Sequence, residues 1–197
     1  MPTGVALRDV REQLFDAADR VLLAAGPSAL TSRAVTEEAG CAKGVLHRHF
    51  ADFDAFLAGF VLDRAHRVDA RTAALRESAG TGDVVGNLAD ALTALFGSVA
   101  VAIVALVTFR DGLRARLRET WPAGVPVLTE AAVALADYLA AERDLGRVAA
   151  DADVDTLAFT LIGTAHLLFA DRTGAAPEAD AVRRTVASVL AGAVRRA

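Results

Sequence analysis

Apolar positions recur three and four residues apart along most of the chain, beginning with Leu7, Val10, Leu14, Val21 and Leu22. That spacing predicts an amphipathic first helix, stopped by the breaker pair Gly26-Pro27. In "LTSRAVTEEAG", Thr31 has the chemistry of an N-cap, and Leu30 and Val35 stand where a hydrophobic staple would close. This second helix is short and ends at Gly40, the residue type favoured just beyond a helix C-terminus. Val45, Leu46 and Phe50 define a third short helix, and Asp52 caps a long fourth one carrying Phe53, Phe56, Phe60, Val68 and Leu75. "SAGTGD" at 78–83 ends that helix and is a candidate boundary between two halves.

Beyond it the pattern predicts helices near 84–97, 98–109, 112–120, 127–145, 153–171 and 178–196, with loops at "WPAGVP" (121–126) and "TGAAPEAD" (173–180). No strand-like alternation bounded by hairpin turns occurs, and no internal repeat. The expected fold is all-α, with about nine or ten helices. Residues 91–109, "ALTALFGSVAVAIVALVTF", carry no charge and overlap the length of a membrane span. Gly97-Ser98 interrupts the run, Asp90 and Arg110 bound it closely, and no aromatic belt flanks it. One or two buried helices of a bundle fit better than a membrane protein.

Composition narrows the picture. The 197 residues are 54% hydrophobic, rich in Ala, Val and Leu and poor in aromatics, which favours helix. A net charge of −4 excludes a uniformly basic surface, so any nucleic-acid contact must come from a local patch. Twenty arginines stand against Lys43 alone. The single cysteine excludes an internal disulfide and, with an N-terminus that meets charge too early for a secretory signal, suggests a cytoplasmic protein.

The chemistry concentrates in residues 40–53, "GCAKGVLHRHFADF". Short helices joined by a tight glycine-containing turn make a helix-turn-helix pattern, whose second helix enters the major groove. Lys43, His47, Arg48 and His49 are donors for that edge, while Val45, Leu46 and Phe50 suit packing or methyl contacts. Arg33, near the start of the second helix, could hold a phosphate, helped by the exposed amides there.

In order and spacing, Ala17-Ala18, Gly26, Thr31, Val35, Ala39-Gly40, Lys43-Gly44, Leu46, Arg48-His49-Phe50 and Leu57 resemble the DNA-binding domain of TetR-family transcriptional regulators. The resemblance covers about fifty N-terminal residues; the rest agrees in helical character and length. It implies a helix-turn-helix domain at 1–51, with Arg33, Lys43, Gly44, Val45, His47, Arg48 and His49 at the DNA, and a helical ligand-binding and dimerisation domain at 52–197. It further implies a homodimeric repressor, released from a near-palindromic double-stranded DNA operator by a small, largely apolar effector. The chain departs from the family pattern at Ala42, Val45, His47 and Phe53-Asp54, each of which removes a hydroxyl or charge that commonly touches DNA, and at Thr36, where alanine is common. The first fifty residues balance six basic against six acidic side chains, so background DNA binding is expected to be weak and strongly salt-sensitive. These departures keep open a second reading, a helical small-molecule-binding protein without DNA recognition.

Other chemistries fit less well. Cys41, His47 and His49 lack a fourth ligand, and two histidines two apart on a helix do not share a face, so no metal is expected. No orienting residue can be placed beside Cys41 and His66 or His166 for a cysteine hydrolase, and GxSxG, GxxxxGK[ST] and GxGxxG are absent. Neither an enzyme nor a cofactor is expected. Thr108, Trp121, Tyr138 and His166 are candidate polar anchors for a ligand, although each could equally be packing. In the last two helices Leu161, Gly163, Leu167, Val186, Val189 and Leu190 are candidates for a dimer interface. The resemblance implies a four-helix bundle there with a second copy.

Overall fold

The computed structural model describes residues 7–170 and 176–194, with the side chains of residues 7–9 and 69–71 left aside. Ten α-helices account for nearly all regular structure among them: α1 (Leu7–Ala25), α2 (Ser32–Glu38), α3 (Val45–His49), α4 (Phe53–Glu77), α5 (Val84–Phe96), α6 (Ala100–Phe109), α7 (Asp111–Arg118), α8 (Pro126–Asp144), α9 (Val154–Phe169) and α10 (Ala179–Val189). A 3₁₀ turn at Pro27–Ala29 fills the break that Gly26-Pro27 imposes on α1. The all-α expectation is met. The loop expected at 173–180 and the tail of the last expected helix lie partly outside the described residues.

The chain divides into two compact units; two of the three boundaries fall inside helices, α4 and α6, and the third in the loop between α7 and α8. One comprises the described residues within Met1–Asp63 and Ala102–Ala123, the other those within Arg64–Val101 and Gly124–Ala197. In the first, α1 and α2 pack together through Leu14, Ala17, Ala18, Leu22, Leu30 and Val35, each at most 3% exposed. A phenylalanine cluster completes its core: Phe15 lies 5.8 Å from Phe50 and 5.6 Å from Phe56, and Phe50 meets Phe56 edge-on at 5.2 Å. Gly59 makes this possible, because a Cβ there would stand 3.3 Å from Phe50 and 3.4 Å from Phe15. The rings outweigh the roughly 1 kcal/mol that glycine costs inside a helix, since each buried Phe is worth about 1.5–3 kcal/mol.

In the second unit α8 packs on α9, and α10 on α5 and α9. Small residues at Ala131, Ala134, Ala158 and Ala165 are buried in these helices, and Phe96 stacks on Phe169 at 5.8 Å. A polar knot, buried at Tyr138 and Glu142, ties the turn after α4 to α8. Asn87 Nδ2 donates to the Tyr138 hydroxyl (3.0 Å) and to the Thr81 carbonyl (3.0 Å), and the Gly80 amide donates to Glu142 Oε1 (3.2 Å). Glu142 has no exposed surface, and Arg147 Nε stands 3.3 Å from its Oε2, near enough for attraction without hydrogen-bond alignment. Burial first, and then the Glu142 carboxylate, push the Tyr138 hydroxyl up to about 12.

As expected, the apolar run 91–109 is divided near Gly97-Ser98 between α5 and α6, and no single helix among the described residues is long and apolar enough to cross a membrane. One expectation needs correcting. The last helix, expected to reach 196, ends at Val189. Gly192 takes φ +86°, a conformation that glycine alone adopts readily, and turns the chain so that Val194 pairs with Val148 in an isolated antiparallel bridge.

Candidate DNA-reading site

The turn between α2 and α3 is built by its glycine. Gly40 sits at φ +65°, the Gly40 amide donates to the Glu37 carbonyl (3.1 Å) and the Cys41 amide to that of Thr36 (3.0 Å). This paired arrangement satisfies two of the carbonyls that α2 would otherwise leave bare. At the other end of α2, Thr31 Oγ1 accepts from the Ala34 amide (3.1 Å), and Leu30 and Val35 are buried, as the cap and staple require. The hydroxyl of Thr36, where the family commonly has alanine, is absorbed by the Ser32 and Arg33 carbonyls at 3.0 and 3.1 Å.

α3 begins after Gly44, which supplies no side-chain cap, so the gap expected at Ala42 falls two residues later. Its inward face is Leu46, fully buried, with Phe50 just beyond. Its outward face carries His47 and Arg48, both exposed, beside exposed Lys43 and Gly44; Val45 and His49 are half-buried. No carboxylate occurs between Glu38 and Asp52, so this surface is locally positive in an acidic chain. No ion pair among the described residues engages Lys43, His47 or Arg48. By contrast, Arg33 is already held by Glu37 (2.7 Å), and Arg20 by Glu38 (2.6 Å). Cys41 is half-buried, and burial pushes its thiol up despite the opposing pull of Arg48, the reverse of an activated nucleophile.

The joint between α3 and α4 is clamped from α6 and α7, within the same unit. Asp52 caps α4 through Oδ1 (Ala55 amide, 2.7 Å) while its Oδ2 accepts from Arg116 (2.8 Å). Asp54 Oδ1 accepts from Arg110 Nε (2.5 Å), and the Arg110 guanidinium lies 5.2 Å from the centre of the Phe53 ring. Periodicity could not have shown these pairs, whose partners are 56 and 64 residues apart.

The other candidates are dispersed. Thr108 is exposed, with its hydroxyl donated to the Val104 carbonyl (2.7 Å), and Trp121 is half-buried; both lie in the first unit. Tyr138 and His166 lie in the second, Tyr138 in the polar knot and His166 6.0 Å from Phe96. None of the four lines the cavity of about 280 Å³ between α4 and α5, whose walls include Val68, Leu75, Asn87, Ala91 and Leu95; Tyr138 meets it only through Asn87. Of the interface candidates, Leu161, Val186 and Leu190 are at most 2% exposed and belong to the chain's own core, and Val189 is half-buried. Gly163 and Leu167 face outward, Leu167 at 77% exposure, and Phe159, 74% exposed and four residues before Gly163, joins them on one stripe of α9. Its i, i+4, i+8 spacing was visible in the sequence.

Residues 14–58 match the family of "Bacterial regulatory proteins, tetR family". No curated protein sequence matches the chain. Among solved structures, the chain is similar to reduced Escherichia coli NemR, at 14% identity and a TM-score of 0.73, over 95% of this chain and 98% of that one. A transcriptional regulator from Rhodococcus sp. Rha1 gives 21% identity and a TM-score of 0.70, over 95% and 99%. FadR of Bacillus subtilis, in complex with stearoyl-CoA, gives 17% identity and a TM-score of 0.65, over 92% and 98%. Residues 14–58 thus match the N-terminal domain of the TetR family of bacterial regulatory proteins, and the chain has a TetR-like all-helical fold.

Proposed function

We propose that this protein is a homodimeric transcriptional regulator of TetR type that binds a near-palindromic operator through residues 1–51. It acts as a repressor, released by a small, largely apolar effector bound within residues 52–197. The observation that carries the DNA-binding part is the uncommitted positive edge of α3. Lys43, His47 and Arg48 point donors outward while neighbouring arginines are tied to carboxylates. Lys43 and Arg48 would hold phosphates or guanine edges, His47 and His49 base edges, and Val45 a thymine methyl. Arg33 would have to exchange Glu37 for a phosphate.

The stripe Phe159–Gly163–Leu167 supports a second copy as the partner on α9. The threonines around it add to its apolar character, since their donors are engaged: Thr160 donates its hydroxyl to the Thr156 carbonyl and Thr164 to that of Thr160, each at 2.7 Å. The cavity between α4 and α5 supports a small effector, and the stearoyl-CoA complex of the similar FadR fits an apolar one. An effector that binds one setting of α4 better than another would shift the population of DNA-competent dimers, by as much as its differential affinity allows.

Selection of bound duplexes from a random pool by the purified chain tests this reading. A recurring motif with two half-sites about one helical turn apart is the expected result. Failure to enrich any motif, where a family control succeeds, would favour the reading without DNA recognition.

A further inference from the structure

The geometry points to the α6–α7 joint as a working part of the DNA-reading head, with Arg110, Gly112 and Arg116 as positioning residues for α3. The inference rests on the reading of α3 as the DNA-facing helix. Four observations carry it. The segment Ala102–Ala123 is compact with the N-terminal helices, so the head extends well beyond the contiguous first fifty residues. Asp52, three residues after α3 ends, uses one carboxylate oxygen to cap α4 and the other to accept from Arg116. Asp54, the second residue of α4, is gripped by Arg110, the single residue between α6 and α7, whose guanidinium also covers Phe53. Finally, Gly112 leaves the space that Asp54 occupies, since a Cβ there would stand 2.5 Å from Asp54 Oδ2.

Together these fix the first turn of α4 from outside. α3 is joined to that turn only by Phe50 and Ala51, so the clamp bears on its angle together with its buried Leu46. Where the family commonly opens α4 with a lysine, this chain has Phe53-Asp54. The charges that stand there instead are Arg110, just before α7, and Arg116 within it, and both are directed at holding the joint.

Gly112→Ala separates positioning from plain stability. It adds a good helix former inside α7, at a position without positive φ, and so favours that helix. Yet its Cβ would stand 2.5 Å from Asp54 Oδ2, so the carboxylate that Arg110 holds through Oδ1 has to shift. The expected result is operator affinity about fivefold weaker with an unchanged or higher melting temperature, the scale of losing a partly exposed ion pair with its ring contact. In an Asp54→Ala background the same substitution should be silent, and Arg110→Lys should restore part of what Arg110→Ala loses. Amide exchange of the full-length protein without DNA supplies a second readout: Gly112→Ala and Arg116→Ala should speed exchange at residues 45–56 and leave α8 and α9 unchanged. A Gly112→Ala protein that binds as the wild type, or that stays impaired in the Asp54→Ala background, would overturn the inference. If the wild type selects no duplex, the proposed function fails by itself, and unchanged exchange at 45–56 would still refute the clamp.

Discussion

Tyr138 is the chain's only tyrosine, so its ionisation can be read without interference from any other phenol. The side chain has no exposed surface, accepts from Asn87, and is pushed up to about 12 by burial and by the neighbouring Glu142 carboxylate. In the unfolded chain the phenol titrates near its ordinary value of about 10. The folded value is the higher one, so this group's contribution is fully present below about pH 10 and is lost as pH climbs to about 12. There the unfolded state sheds a proton that the folded state retains. Two units at about 1.4 kcal/mol each set a ceiling of about 2.7 kcal/mol on that loss. Tyrosinate absorbance of the native protein should rise with a midpoint well above 10, with helicity followed by circular dichroism to confirm that the fold persists. Urea unfolding should become easier over the same interval. Tyr138→Phe should erase this alkaline dependence. At neutral pH it should destabilise by about 1–3 kcal/mol, because it removes a hydroxyl beside a buried carboxylate. A native midpoint near 10, or a Phe variant with the same alkaline loss, would refute the burial argument.

The remaining expectations are briefer. Lys43→Ala and Arg48→Ala should each weaken operator binding and lower the slope of log affinity against log salt by about 0.9, as filter-binding or anisotropy titrations at several salt concentrations would measure. Leu167→Asp or Phe159→Asp should yield monomers in sedimentation experiments with helicity unchanged, since each buried side chain is worth about 1.5–3 kcal/mol to an apolar contact. Gly40→Ala should lower stability by about 1–2 kcal/mol in urea titrations. Its φ of +65° strains any Cβ, and no neighbour stands close enough to add a clash, so the cost is conformational alone.

What could be read from the sequence is what depends on near neighbours along the chain. Thr31, Gly40 and Asp52 announced helix ends because caps and left-handed turns act within a few residues, and the apolar rhythm placed the helices to within a few positions, α10 apart. The shortened α10 escaped because its end depends on Gly192 and on a pairing with Val148, far away in sequence. At the candidate site the outward donors of α3 were legible from period and charge, whereas the grip of Arg110 and Arg116 on Asp54 and Asp52 was not. Leu161, Val186 and Leu190 show a related limit: an apolar stripe does not say which part of it the chain covers itself.

The threonines of α9 carry one more implication. Thr160 and Thr164 donate their hydroxyls to carbonyls of the helix that bears them, so a partner laid on this face finds two large apolar side chains and few free donors. Association through such a surface would depend on the release of water and scarcely on charge, whereas the proposed grip on DNA would depend on displaced counterions. Raising the salt would therefore act on the two contacts in opposite senses, and the protein should leave its operator as an intact pair.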